Sequence, residues 1–124
     1  MNRLMLGLVF VASTVCGHVS AQEWVYLGGR PAGEMDTSSI MEKGGLLHLN
    51  VRIIADQPQG RMFLNQALAV DCSEGWAWIS DGWITSSFSS KVAPMPDLPE
   101  HQRIIHLPAP NEAYNNMYHY ICGL

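Results

Sequence analysis

The residues most able to do chemistry are scattered along this chain. His101, His106 and His119 fall in its last quarter. A metal site needs donors that one local element can converge, such as paired histidines on a helix face. The step from His101 to His106, with His119 alone on an expected helix, gives no such geometry, so surface histidines are expected. Ser86, Ser87, Ser89 and Ser90 supply hydroxyls, but no flanking pattern sets up the strained elbow of a nucleophilic serine. Glu23, Glu34, Asp36, Asp71 and Asp81 supply carboxylates without an evident acid–base pair. No glycine-rich loop opens a helix after a strand, which leaves phosphate binding unsupported. The expectation is a protein with no catalytic residue, no metal and no cofactor.

The three cysteines are more informative. Met1-Asn2-Arg3 is a short basic start, Leu4 to Cys16 is apolar or small throughout, and Val19-Ser20-Ala21 ends in small residues. That is the pattern of a secretory signal peptide cleaved after Ala21, leaving a single domain over 22–124. Cys16 leaves with the leader. Val15 stands where a lipid-attachment motif wants Gly, Ala or Ser, so a lipoprotein is not expected. Cys72 and Cys122 then remain as an even pair in an oxidising compartment and are read as a disulfide. No free thiol would be left as a nucleophile. The chain would reside in the periplasm, be secreted or reach the cell surface. No later apolar run is long enough to span a membrane as a helix. One of the seven Lys/Arg, Arg3, leaves with the leader, and the eleven Asp/Glu give the mature chain a formal charge of −5. Such a chain has no electrostatic footing for nucleic acid.

The most unusual stretch is W-A-W-I-S-D-G-W, which puts Trp76, Trp78 and Trp83 within eight positions. Asp81-Gly82 is a two-residue hairpin signal, predicted to join Trp76–Ser80 to Trp83–Phe88. Opposed residues share a face. All three tryptophans would then lie on one side, with Ala77, Ile79, Ile84 and Phe88 on the other. The group is either an aromatic platform for sugar rings or a protein partner, or core packed on a helix or another strand. Core is the favoured reading, because three exposed Trp would leave a large apolar patch on so small a domain.

The elements that must position these residues are mostly strands. Glu23 to Leu27 is aromatic and β-branched and is stopped by Gly28-Gly29. Met35-Asp36 reads as a short strand, and Thr37-Ser38-Ser39 as a turn. Lys43-Gly44-Gly45 is a tight turn into Leu47–Ile53, where odd positions are apolar and even ones polar. His48 falls on the polar side and is expected to be exposed. Met62 to Cys72 alternates so that Met62, Leu64, Leu68, Val70 and Cys72 share a face; its Leu, Gln and Ala also suit a helix, but strand is favoured from Ala67. The prolines at 94, 96 and 99 exclude a central strand. Arg103 to Leu107 is a last strand. Asn111 then caps a helix with Ala113, Tyr114, Met117, Tyr118 and Ile121 as its apolar stripe. The fold class is α+β: an antiparallel sheet with a C-terminal helix on one face.

These features also carry a resemblance. Trp24 in a first strand, D-T-S-S-I at Asp36 to Ile40, G-G-L-L-H-L-N-V at Gly44 to Val51, V-D-C ending at Cys72, and Cys122 after a terminal helix run in the order seen in the surface-adhesin protein E family. This is a family of small exported bacterial domains, and the similarity covers most of 24–122. It implies an antiparallel sheet with a helix, a Cys72–Cys122 disulfide, and room for a homodimer. The family takes its name from an adhesin that binds host matrix and plasma proteins. Here only Lys43 and Lys91 survive in the mature chain, and Ser73-Glu74-Gly75-Trp76 stands where a basic residue would follow the first cysteine. The expected function is an exported, non-enzymatic binding domain of the envelope, with a protein partner and Trp76, Trp78 and Trp83 as its candidate surface. A periplasmic structural role is the alternative, and a small hydrolase or metal-binding protein is a third.

Overall fold

The computed structural model describes residues 21–123, so the expected leader through Ser20 lies outside the described residues. Among the described residues the chain forms an antiparallel sheet of seven strands, one α-helix and a short 3-10 helix at Glu100–Gln102. The strands are β1 (Trp24–Gly28), β2 (Gly33–Lys43), β3 (Leu46–Gln57), β4 (Gly60–Asp71), β5 (Trp76–Ser86), β6 (Ala93–Pro94) and β7 (Ile104–His106). Each of β1 to β5 pairs with its sequence neighbour, and both β6 and β7 add to the outer edge of β5. The helix α1 spans Glu112–Cys122.

Alternation decides which face is core. Leu47 opposes Val70, Leu49 opposes Leu68, and Ala77 opposes Val70 from β5. These side chains share one face, and there they meet Leu27 and Met35 from the first two strands. The helix covers that face with Ala113 and Met117, both essentially without solvent contact. It crosses the sheet diagonally. Asn111 Oδ1 accepts the Ala113 N–H as cap, and its Nδ2 donates to the Pro31 carbonyl in the β1–β2 turn. Asn116 donates to Leu27 O on β1 at 2.7 Å, and Tyr114 Oη donates to Gln66 Oε1 on β4 at 2.7 Å. At the far end Tyr118 Oη donates to Cys72 O, and the Cys72–Cys122 disulfide fixes the last turn to the β4–β5 connection. Gly123 in the left-handed region (φ 71°) closes the helix.

Three expectations change. Asp81-Gly82 is not a hairpin: β5 runs unbroken from Trp76 to Ser86 along β4. Ala67 opposes Asp81 while Leu68 opposes Ile79, so Ser80 is the extra residue of a β-bulge. Its hydroxyl donates to Ala67 O at 3.0 Å, which secures the irregularity. Thr37-Ser38-Ser39 likewise lies inside β2, where the register shifts between Asp36 and Met41. There Ser39 Oγ accepts the Asn50 N–H and donates to Asp36 O, standing in for part of the ladder. His48 sits on the helix-free face as its parity requires, but half-buried rather than exposed. The Met62–Cys72 segment, ambiguous in sequence, is strand through Asp71.

Candidate functional site: an aromatic groove on the uncovered face

One face of the sheet carries the helix and the other does not. The strand registers assign residues to the uncovered face. Trp76 is opposed by Asp71 and His106, and Trp78 by Ala69 and Ile104. On the far side of Ala69 stands His48. Trp83 is opposed by Asn65, which is opposed by Arg52, which is opposed by Glu34. Asn65 and Ala69 have the same parity on β4, so all three tryptophans share this face. The sidedness read from the sequence therefore holds, through a bulge rather than a turn. The preference for core does not hold: the helix packs on the opposite face, and the three indoles are half-buried without it.

Trp76 and Trp78 form the wall of a groove of about 240 Å³, completed by Leu46, Ala69, Ile104 and His106. Ala69 makes the floor because its methyl group leaves space between the larger neighbours. Trp83 does not join this groove. It lies beyond the bulge, where Asn65 Nδ2 donates to its carbonyl and to Thr85 Oγ1. The candidate surface is therefore two tryptophans and a β7 edge rather than three tryptophans. Ile104, Leu46 and Ala69 carry no mark in the sequence that would join them to Trp78; only the strand registers do so.

A second cluster on the same face is closed. The Arg52 guanidinium lies 3.9 Å from the Trp24 ring centre and 4.2 Å from that of Phe63. Its Nη2 is 2.7 Å from Glu34 Oε1, and Nε donates to the same oxygen at 2.8 Å. A cation held between two rings and neutralised by a carboxylate is a structural clamp more than a receptor for anions.

Several other candidates for chemistry have structural work, while His101 and His119 stand exposed. Asp36 Oδ1 accepts from Glu23 N–H, Ser38 N–H and Ser38 Oγ, and Glu23 accepts from Thr37. Asp81 accepts the Gly82 N–H within the bulge. Asp71 caps the β4–β5 turn, and the Ser73 hydroxyl, followed by the Glu74 N–H, holds its carboxyl below the ordinary carboxylate range. Ser87 Oγ and Ser89 Oγ accept backbone N–H groups from Arg61 and Lys91. Among the described residues no group of three His, Cys, Asp or Glu is arranged to hold a metal ion. Nor is any helix among them long and apolar enough to cross a membrane.

Compared with protein-family models, with curated proteins and with solved structures, the chain matches none.

Proposed function

We propose that this chain is an exported, non-enzymatic binding domain of the bacterial envelope, resembling surface-adhesin protein E, whose groove at Trp76 and Trp78 holds an apolar group of a protein partner. The observation that carries this reading is the groove itself. Two indoles, Leu46 and Ile104 wall a solvent-open cleft on the face the helix leaves bare. Tryptophan is the residue type most often found to dominate binding energy, and a concave apolar lining is the usual form of a receptor for it. Apart from His106 and the two indole N–H groups the lining is hydrocarbon, which favours an aliphatic or aromatic side chain over a sugar ring. The disulfide that pins the helix is the form expected after export.

The neutral dye Nile red tests the groove. Its emission should rise on titration with the intact protein. Trp78→Ala should lose most of that rise while melting near the parent temperature, and Trp83→Ala, outside the groove, should keep it. An undiminished signal in Trp78→Ala refutes the groove as receptor. Protease treatment of intact cells tests placement: cleavage of the protein indicates surface display, and protection indicates a periplasmic role.

A further inference from the structure

We infer that the outer edge of β7 captures an extended, cationic polypeptide segment by strand addition, seating one of its apolar side chains in the groove of Trp76 and Trp78. The inference rests on the groove being a receptor and names what enters it.

The hydrogen-bond ladder carries the first part. Leu107 N–H donates to Gly75 O at 3.0 Å, and Ile79 N–H donates to Arg103 O at 2.8 Å. In an antiparallel pair, bonded and non-bonded positions alternate. The bonded position between these two is therefore Ala77 with Ile105. Ile104 and His106 fall between, so their N–H and C=O groups turn away from β5. Among the described residues β7 pairs with no other strand. Four backbone groups thus face outward in the spacing that a further strand would bond. Two other edges are interrupted. On β1 the Leu27 carbonyl is taken by Asn116, and on β6 one of the two residues is Pro94, which has no N–H.

The same two residues line the groove with their side chains, and Ile104 is 38% exposed. A strand laid on β7 would put every second side chain on the groove's face of the sheet. Backbone bonds would supply affinity and the groove would select the side chain, the division of labour seen in strand addition generally. Charge sets the rest. Glu100 precedes β7, Glu112 follows it, and Glu74 lies in the turn whose Gly75 carbonyl bonds Leu107; all three are exposed. The nearby cation, Arg103, is turned inward onto the carbonyls of Leu98, Ile79 and Ser80. The full chain carries a formal charge of −4. A segment bearing Lys or Arg between its apolar residues is the complementary partner.

The test is selection from a library of nine-residue peptides with Leu, Ile or Val fixed at alternate positions and random residues between, against the oxidised protein. Binders should be enriched in Lys and Arg and weaken as salt is raised. Backbone N-methylation at alternate residues should lower affinity at least tenfold, whereas N-methylation at the intervening residues should leave it within about twofold. Amide exchange at Ile104 and His106 should slow on binding. Three outcomes overturn the inference. If no peptide binds while Nile red does, the groove is a receptor but the edge is not. If binding is indifferent to N-methylation in both registers, the groove takes a side chain without strand addition. If the Ile104 and His106 amides are protected without peptide and increasingly so with protein concentration, the edge belongs to a second copy. Failure of both dye and peptides removes the groove reading as well.

Discussion

Replacing both disulfide cysteines, Cys72→Ser with Cys122→Ser, is the perturbation whose size follows most directly from the structure. The bridge closes a loop of 50 residues in sequence. In the chain-entropy treatment a cross-link over that span confines the unfolded state by about 4 kcal/mol at room temperature. Domains of this length have net stabilities of roughly 5–15 kcal/mol, so about a quarter or more of the total is at stake. In thermal terms the expected drop is roughly 15–30 °C. The folded state should survive below the transition, because the helix keeps other ties: Asn111 to Pro31, Asn116 to Leu27, Tyr114 to Gln66 and Tyr118 to Cys72 O, with Met117 buried beneath them. Urea unfolding followed by circular dichroism measures the difference. The slope with denaturant should rise, since an uncross-linked chain exposes more surface. A loss below about 1 kcal/mol with an unchanged slope would refute the reasoning, because it would mean the unfolded chain gains no freedom from the cut.

Asn115→Leu should cost about 2–4 kcal/mol in the same assay, because Asn115 accepts the Ala109 N–H at 2.7 Å and donates to the Ala109 C=O at 2.9 Å, and both backbone groups would be stranded in a buried position. Gly29→Ala should be destabilising by more than 1 kcal/mol, since φ is +91° and a Cβ there would run into Asn111 Oδ1 and come within 2.8 Å of the Ala113 N–H, breaking the helix cap. Burial raises the Tyr114 phenol above its ordinary 10.0 despite its bond to Gln66. Its contribution is therefore present below pH 10 and is lost as pH rises from there through the folded-state value, because the unfolded chain ionises first; Tyr114→Phe should flatten the alkaline limb of a stability–pH curve. Asp71 has the opposite sign: its carboxyl is held low by Ser73, so its contribution is present above about pH 4 and fades as pH falls below. Asp71→Asn should reduce the acid dependence measured by thermal melts.

Much of the fold was legible where burial is one-sided. The odd apolar positions of Leu47 to Ile53 face the helix as their period implies, and Asn111 caps the helix as its side chain suggests. The Asp81-Gly82 reading failed because the dipeptide suits any local break in a ladder, bulge or turn alike. Gly82 is not among the positive-φ glycines that a two-residue turn requires. Strand length held the missing clue. β4 is twelve residues long, and a five-residue hairpin arm could not pair all of it. The tryptophans nonetheless came out on one side, because one inserted residue at Ser80 shifts parity just as the turn would have done. Without it, Trp83 would point at the helix and Ile84 at solvent. The groove was out of reach for a different reason. Leu46, Ala69, Trp78 and Ile104 meet only through three successive registers, and no local pattern encodes them.

The helix that closes the fold follows every described strand in the sequence. Every strand pair in the meander joins sequence neighbours or β5 to its own downstream segment, whereas Asn111 and Asn116 reach back 80 and 89 residues. A chain cut after His106 would keep the residues of every strand and lose the helix that covers them. Leu27, Met35, Val51, Leu68 and Val70 would then form a bare aliphatic sheet surface. Such a face would be an adhesive one, apt to stack on its own kind. The eleven residues of α1 thus decide whether this sheet presents an aliphatic face or a sealed one.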